Sequence, residues 1–129
     1  MGFHEMYKLA QINMQGCLLL EKDFPQQYAV LLAVYHLRQA VEMELKTLLL
    51  LRGREPTATH DIAELAAACR QEKFPIPESV IDMADTLTQW ESVRYDPFLD
   101  LTGDEYAKAK AAYTKLHAQT QKLLRFVKE

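Results

Sequence analysis

A group of polar side chains interrupts the most apolar stretch of the chain, which runs from Tyr28 to Gly53. The group consists of His36, Arg38, Gln39, Glu42 and Lys46. Histidine transfers protons near neutral pH, and arginine and lysine bind phosphate or carboxylate groups. Arg38 and Glu42, like Glu42 and Lys46, are four residues apart and could instead form a solvated ladder of ion pairs. The alternative is a semi-buried polar patch that faces another helix or a second subunit.

The other histidines and the cysteines form no known catalytic or metal-binding motif. His4, His60 and His117 belong to no HExxH sequence, and neither Cys17 nor Cys69 is part of a CxxC pair. The sequence also lacks the GxGxxG and Walker phosphate-binding motifs. A mononuclear metalloenzyme or a P-loop enzyme is therefore disfavoured, and we expect no metal and no cofactor. The cysteines lie among apolar residues and are expected to be buried free thiols.

Basic residues accumulate near the end of the chain, although the net charge of the whole chain is -3. They are Lys108, Lys110, Lys115, Lys122, Arg125 and Lys128. They could form a strip that contacts phosphates, or a solvated face where cations interact favourably with a helix C-terminus. We favour the solvated face, because the charges are dispersed around the predicted helix.

Helical periodicity dominates the chain and predicts an all-α fold. Apolar residues recur every three or four positions from about Phe3 to Lys22, which predicts the first helix. Asp23 and Pro25 interrupt this pattern and predict a short connection, so the first two helices should form an antiparallel hairpin. The second helix, with its long apolar face, is the predicted central post of the bundle. It should end at Gly53, because glycine suits the left-handed position after a helix.

The remaining segments predict further helices. Thr59 is the predicted N-cap of the third helix, with Asp61 in its first turn. The fourth helix is predicted from about residue 77 to Val93, and Thr102 is positioned to cap a fifth helix. No segment alternates with a period of two, so we expect no sheet. The prediction is one domain over residues 1–129, an antiparallel bundle of four to five helices.

Composition and terminal sequence restrict location and partners. The negative net charge gives no general attraction to nucleic acid or to acidic membranes, so an RNA contact would be local. The first residues show no basic region followed by an apolar core, and charged residues interrupt the longest apolar runs. We therefore expect a cytoplasmic protein that does not cross a membrane.

Three motifs resemble the HEPN family, whose name stands for higher eukaryotes and prokaryotes nucleotide-binding. The first lies between Tyr35 and Leu49 and contains the run His-x-x-Gln-Ala-x-Glu. The second, from Pro56 to Ile62, is similar to the Pro-x-x-Thr-His-Asp-Leu sequence that starts the family's third helix. The third is Arg94 followed by Tyr95, which resembles an Arg-Tyr-Pro step with one residue inserted before the proline. The resemblance covers about residues 7 to 127.

The resemblance implies a bundle of four to five helices that usually dimerises and is associated with nucleotides or RNA. Many family members accompany a minimal nucleotidyltransferase, often as a toxin and its antitoxin. Several branches are metal-independent ribonucleases, with an arginine followed after four to six residues by a histidine at the start of the last long helix. There the histidine transfers a proton, and the arginine stabilises charge that develops on the phosphate.

The present chain departs from this ribonuclease signature. After Arg94, the positions that would hold the histidine are residues 99 to 101, with the sequence Leu-Asp-Leu. Arg54 and His60 have the required separation, but they lie between the second and third predicted helices. We interpret that match as accidental, so the signature is absent from the family position.

The leading prediction is a dimeric, HEPN-like binding or accessory protein for a nucleotide, an RNA or a nucleotidyltransferase partner. The predicted ligand- or partner-binding residues are His36, Gln39, Glu42, Lys46 and Tyr95, and Arg94 is the predicted catalytic residue if the protein is an enzyme. One alternative is a divergent metal-independent endoribonuclease, in which Arg94 acts with a histidine from elsewhere, such as His36 or His60. Another is a structural dimerisation module whose polar group only fixes the helix register.

Overall fold

A computed structural model describes residues 1–56, 58–95 and 103–127 of the chain, without the side chains of residues 93–95. Every regular element in these ranges is helical. In chain order they are α1 (Phe3–Glu21), α2 (Gln27–Leu51), α3 (Ile62–Gln71), α4 (Glu78–Gln89), a 3-10 helix (Trp90–Tyr95) and α5 (Gly103–Leu124). The predicted all-α helical bundle is confirmed.

The first two helices form the predicted hairpin, joined by a short turn that contains Pro25. Their packing is the most extensive contact between two helices in the described ranges. The two fully buried residues of α1, Ala10 and Cys17, are small, which lets the helix axes approach closely. Gly16 lies against the His36 ring, where a β-carbon would be 3.7 Å from the nearest ring atom.

The second helix is the central post, as the sequence predicts. It contacts α1, α3, α5 and the 3-10 helix, while α4 packs against α3 and α5. Its apolar face, which includes Leu37, Val41 and Leu45, is buried in the main core. Gly53 follows its last turn with φ of 70°, and the Gly53 amide donates to the Leu50 carbonyl at 2.9 Å. The predicted helix end is therefore confirmed.

The predicted N-cap of the third helix was wrong by two residues. Asp61 caps α3, because its Oδ1 accepts a hydrogen bond from the Glu64 amide at 3.2 Å. Thr59 instead accepts from the Asp61 amide at 3.0 Å and stabilises the turn before the cap. The fourth segment also differs, because its α-helix ends at Gln89 and continues as the 3-10 helix. The predicted cap at Thr102 lies outside the described residues.

The expected buried thiols are confirmed, since Cys17 and Cys69 are both free and fully buried. Burial raises the pKa of the Cys69 thiol to about 12, so this sulfur stays protonated and unreactive at neutral pH. Among the described residues, no helix has the length and apolar character needed to cross a bilayer.

Candidate functional site

Two buried glutamates on α2 organise the polar interior. Glu42 is 3% exposed and Glu44 is 0% exposed. Because they are two residues apart, their side chains leave the helix in nearly opposite directions, about 160° apart, toward different parts of the bundle. Glu42 meets His60 from the loop before α3, whereas Glu44 meets His117 from α5. A buried carboxylate is unfavourable unless it is partnered, so each glutamate requires the groups around it.

The Glu42 cluster comprises Arg38, Glu42, Lys46, His60 and Glu91. Arg38 Nη2 donates to Glu42 Oε1 and lies 2.5 Å from Glu91 Oε2. Lys46 Nζ donates to Glu42 Oε2 at 2.9 Å. His60 Nδ1 lies 3.1 and 3.2 Å from the two oxygens of Glu42. The polar group of α2 is therefore a semi-buried patch facing other elements, and not a solvated ladder of ion pairs.

Arg38 also fixes the backbone around the cluster. Its Nη2 donates to the His60 carbonyl at 3.2 Å, and its Nη1 donates to Gln39 Oε1 at 2.8 Å. Gln39 Nε2 in turn donates to the Tyr35 hydroxyl at 3.1 Å. Through Arg38, the loop before α3 is attached to the middle of α2, and Glu91 attaches the 3-10 helix to the same point.

Electrostatics keep Glu42 ionised despite its burial. Burial acts most strongly and disfavours the charged form, but it is outweighed by hydrogen bonding from Lys46 and by the charge of Arg38. The His60 contact acts in the same direction, and the pKa of Glu42 lies below its ordinary range. The His60 side chain is 57% exposed, so a buried carboxylate orients an imidazole that remains open to solvent. A histidine oriented in this way can exchange a proton with a bound molecule through Nε2.

The same cluster contains three groups with metal-ligand chemistry. Ligand atoms of Glu42, His60 and Glu91 all lie within 4.8 Å of one another. The Arg38 guanidinium contacts both carboxylates, however, and supplies the positive charge that a metal ion would provide. A cation would have to displace a fully buried arginine, so these residues fit a metal poorly.

The predicted binding residues separate into two groups. Gln39, Glu42 and Lys46 lie in or beside the Glu42 cluster. His36 does not, because its Nδ1 lies 2.8 Å from Asn13 Oδ1, on α1. Burial lowers the pKa of His36, which favours a neutral imidazole packed between the two helices of the hairpin.

Arg94 and Tyr95 have side chains outside the described part of the structure. Their backbone belongs to the 3-10 helix that Glu91 attaches to Arg38. The predicted set of binding residues omitted Arg38, which was named only as part of the polar group, and His60, which was named only as a possible histidine of the alternative ribonuclease, and it did not include Glu91. Arg38 was signalled by its spacing from Glu42, and His60 by the Thr-His-Asp motif. Glu91 had no signal, because its contact exists only between folded elements.

Two other patterns have local structural explanations. Arg54 Nη1 donates to Glu72 Oε1 at 3.3 Å, in keeping with an accidental spacing between Arg54 and His60. In the basic strip, Lys110 contacts Glu21 at 2.7 Å and Lys108 contacts Asp104 at 3.2 Å. Part of the basic charge is thus paired within the chain.

Comparison with known proteins identifies the family. The model of the HEPN domain matches residues 21–129. No curated protein and no solved structure matches the chain. The matched region contains α2, the loop with His60 and the 3-10 helix, and hence the whole Glu42 cluster. Because the match covers most of its length, the chain belongs to the HEPN domain family.

Proposed function

We propose that this protein is a nucleotide- or RNA-associated binding or accessory protein, with an interaction surface centred on His60. Membership of the HEPN family supports a function related to nucleotides or RNA. One observation supports placing the interaction surface at His60. The His60 side chain is largely exposed, whereas Glu42, which orients it, is buried. A network that only fixed the helix register would not need to present an oriented histidine to solvent.

Charge balance indicates where a phosphate would bind. Within the Glu42 cluster, Arg38 and Lys46 are already paired with Glu42 and Glu91. The arginine and lysine of the cluster therefore leave no excess positive charge for a phosphate. We propose Arg94, which follows Glu91 in the 3-10 helix, as the phosphate contact, because arginine binds phosphate oxygens in a bidentate manner.

We propose a direct role in binding for four of the other predicted residues and an indirect role for His36. Gln39, Glu42, Lys46 and Tyr95 are proposed to form or support the binding surface around His60. For His36 the proposed role is indirect, because its contact with Asn13 holds α1 against α2. A nucleotidyltransferase, encoded as the other half of a toxin–antitoxin pair in the cytoplasm, is the proposed protein partner.

Thermal unfolding with added ligand tests the binding function. A nucleotide or RNA that binds only the folded protein increases the free energy of unfolding by RT ln(1 + [L]/Kd), and the melting temperature rises as a result. We expect AMP, ATP or a single-stranded RNA to raise the melting temperature of the native protein. His60→Ala and Arg94→Ala should reduce the increase, because the surface around His60 no longer contributes to binding, while Lys115→Ala, a change at an exposed position of α5, should leave it intact. An unchanged melting temperature with every ligand would favour the structural module instead.

A metal-independent endoribonuclease is the second candidate, and the Glu42–His60 contact favours it. A carboxylate that accepts a hydrogen bond from Nδ1 leaves Nε2 free to act as a general base on a ribose hydroxyl. Arg94 would stabilise the charge on the phosphate. We expect cleavage of single-stranded RNA in EDTA, reduced roughly 100- to 10,000-fold in His60→Ala. Equal cleavage by His60→Ala and the native protein would exclude this mechanism.

A further inference from the structure

A second polar site surrounds Glu44, away from the Glu42 cluster. Glu44 Oε1 lies 3.0 Å from His117 Nδ1, and the His117 side chain is 22% exposed. The contact ties α5 to the middle of α2. An apolar pair would join two helices without the unfavourable burial of a carboxylate. The position of His117 therefore needs a reason beyond helix packing.

Two tyrosine rings stack on the His117 ring. The Tyr7 ring lies 5.6 Å from the His117 ring at 10°, and the Tyr113 ring lies 5.5 Å away on α5 at 13°. These distances and angles are typical of offset stacking. Glu44 fixes His117, and His117 in turn sets the orientation of the Tyr7 ring, which comes from α1.

Tyr7 also lines a cleft of about 310 Å³ together with Gln121, Leu124 and Arg125. This volume is at the lower end of the range for small-molecule sites, about 300 to 1,000 Å³. His117, Gln121 and Arg125 are successively four residues apart and therefore lie along one face of the helix. The Arg125 amide donates to the Gln121 carbonyl at 3.2 Å, so helical geometry extends to the arginine.

The lining of the cleft offers three kinds of contact side by side. An aromatic ring stacks with a nucleobase, an amide can hydrogen-bond the edge of a base, and a guanidinium pairs with a phosphate. A ligand that uses all three contacts must be both aromatic and anionic.

We propose that this cleft binds a nucleoside monophosphate, free or as one nucleotide of a single-stranded RNA, with its base stacked on Tyr7 and its phosphate paired with Arg125. Glu44 and His117 act as positioning residues, because they hold the ring on which the base stacks. Of the residues that line this cleft, Tyr7 lies before the region that the HEPN model matches, which begins at residue 21.

The test is a titration of the ¹⁵N-labelled full chain with AMP, followed by NMR. We expect shifts at the amides of Tyr7, Gln121 and Arg125. Adenosine, which lacks the phosphate, and inorganic phosphate, which lacks the base, should each bind at least about tenfold more weakly. If oligoadenylate shifts the same amides at a lower concentration than AMP does, the ligand of the cleft is a nucleotide of an RNA strand. If AMP acts at the lower concentration, the ligand is the free nucleotide.

Substitutions at Arg125 and Tyr7 test the phosphate contact and the base contact separately. Arg125→Gln should weaken AMP about tenfold and leave adenosine unchanged. Tyr7→Leu should weaken both ligands, whereas Tyr7→Phe, which keeps the ring, should bind both as the native protein does. Lys115→Gln, at an exposed position of the same helix, is the matched control.

The proposal is overturned if AMP shifts none of the three amides, or if Arg125→Gln binds AMP with native affinity. Shifts confined to amides around His60 would overturn this cleft while supporting the surface around the Glu42 cluster. Shifts confined to the amides of the cleft would support the cleft and contradict the surface around the Glu42 cluster. The two sites are therefore tested independently.

Discussion

At the scale of single residues, Glu42 and Glu44 show how neighbouring carboxylates on one helix acquire different electrostatics. Both are buried, and burial is the strongest influence on each. Glu42 is surrounded by Arg38, Lys46 and His60, which together lower its pKa. For Glu44, burial is not outweighed by the interactions with His117, Thr120 and Tyr113, so its pKa is raised above the ordinary range. The two residues should therefore respond to pH in opposite ways.

The first prediction concerns Glu42. Because its pKa is lowered in the folded state, its contribution to stability is present above its ordinary pKa of 4.5 and is lost as the pH falls through the folded value. Glu42→Gln should reduce the free energy of unfolding at pH 7 by roughly 3 kcal/mol, because Arg38 and Lys46 lose their shared partner. Urea denaturation should show this loss shrinking below about pH 4. A loss that is the same at pH 3.5 and pH 7 would contradict it.

The second prediction concerns Glu44 and has the opposite sign. With a raised folded pKa, its favourable contribution is fully present below 4.5 and is lost as the pH rises through the folded value. Glu44→Gln keeps an acceptor for His117 without a buried charge. Relative to the native protein, this variant should gain stability as the pH increases from 4 to 8. Glu42→Gln in the same experiment is the control, because its relative stability should fall over that interval.

At the scale of elements, the sequence predicted what local patterns determine. The apolar spacing of α2 predicted the central post, and Gly53 predicted its end. The start of α3 was ambiguous because Thr59 and Asp61 both have side chains suited to an N-cap. Glu44 was missed as a site residue for a different reason. Its partner His117 is 73 positions away, and an acidic residue on a helix is usually solvated.

The third prediction distinguishes the two candidate caps of α3. Asp61→Ala should reduce the free energy of unfolding by about 1 kcal/mol, because the Glu64 amide loses its acceptor. Thr59→Ala should have a smaller effect, since Thr59 accepts only from the Asp61 amide in the preceding turn. Urea denaturation of both variants at pH 7 provides the comparison. A larger loss for Thr59→Ala would restore the cap predicted from the sequence.

At the scale of the whole molecule, the α1–α2 hairpin presents large apolar side chains to solvent. Ile12, Leu19, Tyr28 and Leu32 are all exposed, and Leu19 is 61% exposed. The sequence could not reveal this, because the same spacing describes an apolar face whether the chain itself or another molecule covers it. Exposed apolar surface often marks a protein interface. We take this surface as the proposed homodimer contact.

The fourth prediction tests that contact. Ile12 and Leu19 are seven residues apart and therefore lie on one face of α1. Replacing both with lysine places two like charges on each side of a twofold interface, where they repel, without changing a buried side chain. Sedimentation velocity should find the native protein at twice its 14.9 kDa chain mass and the double variant at the mass of one chain. Phe126→Lys, at an exposed position beyond α5, is the control and should remain dimeric. A native protein that sediments as a monomer at every concentration would exclude the dimer, and a double variant that still dimerises would move the interface to another surface.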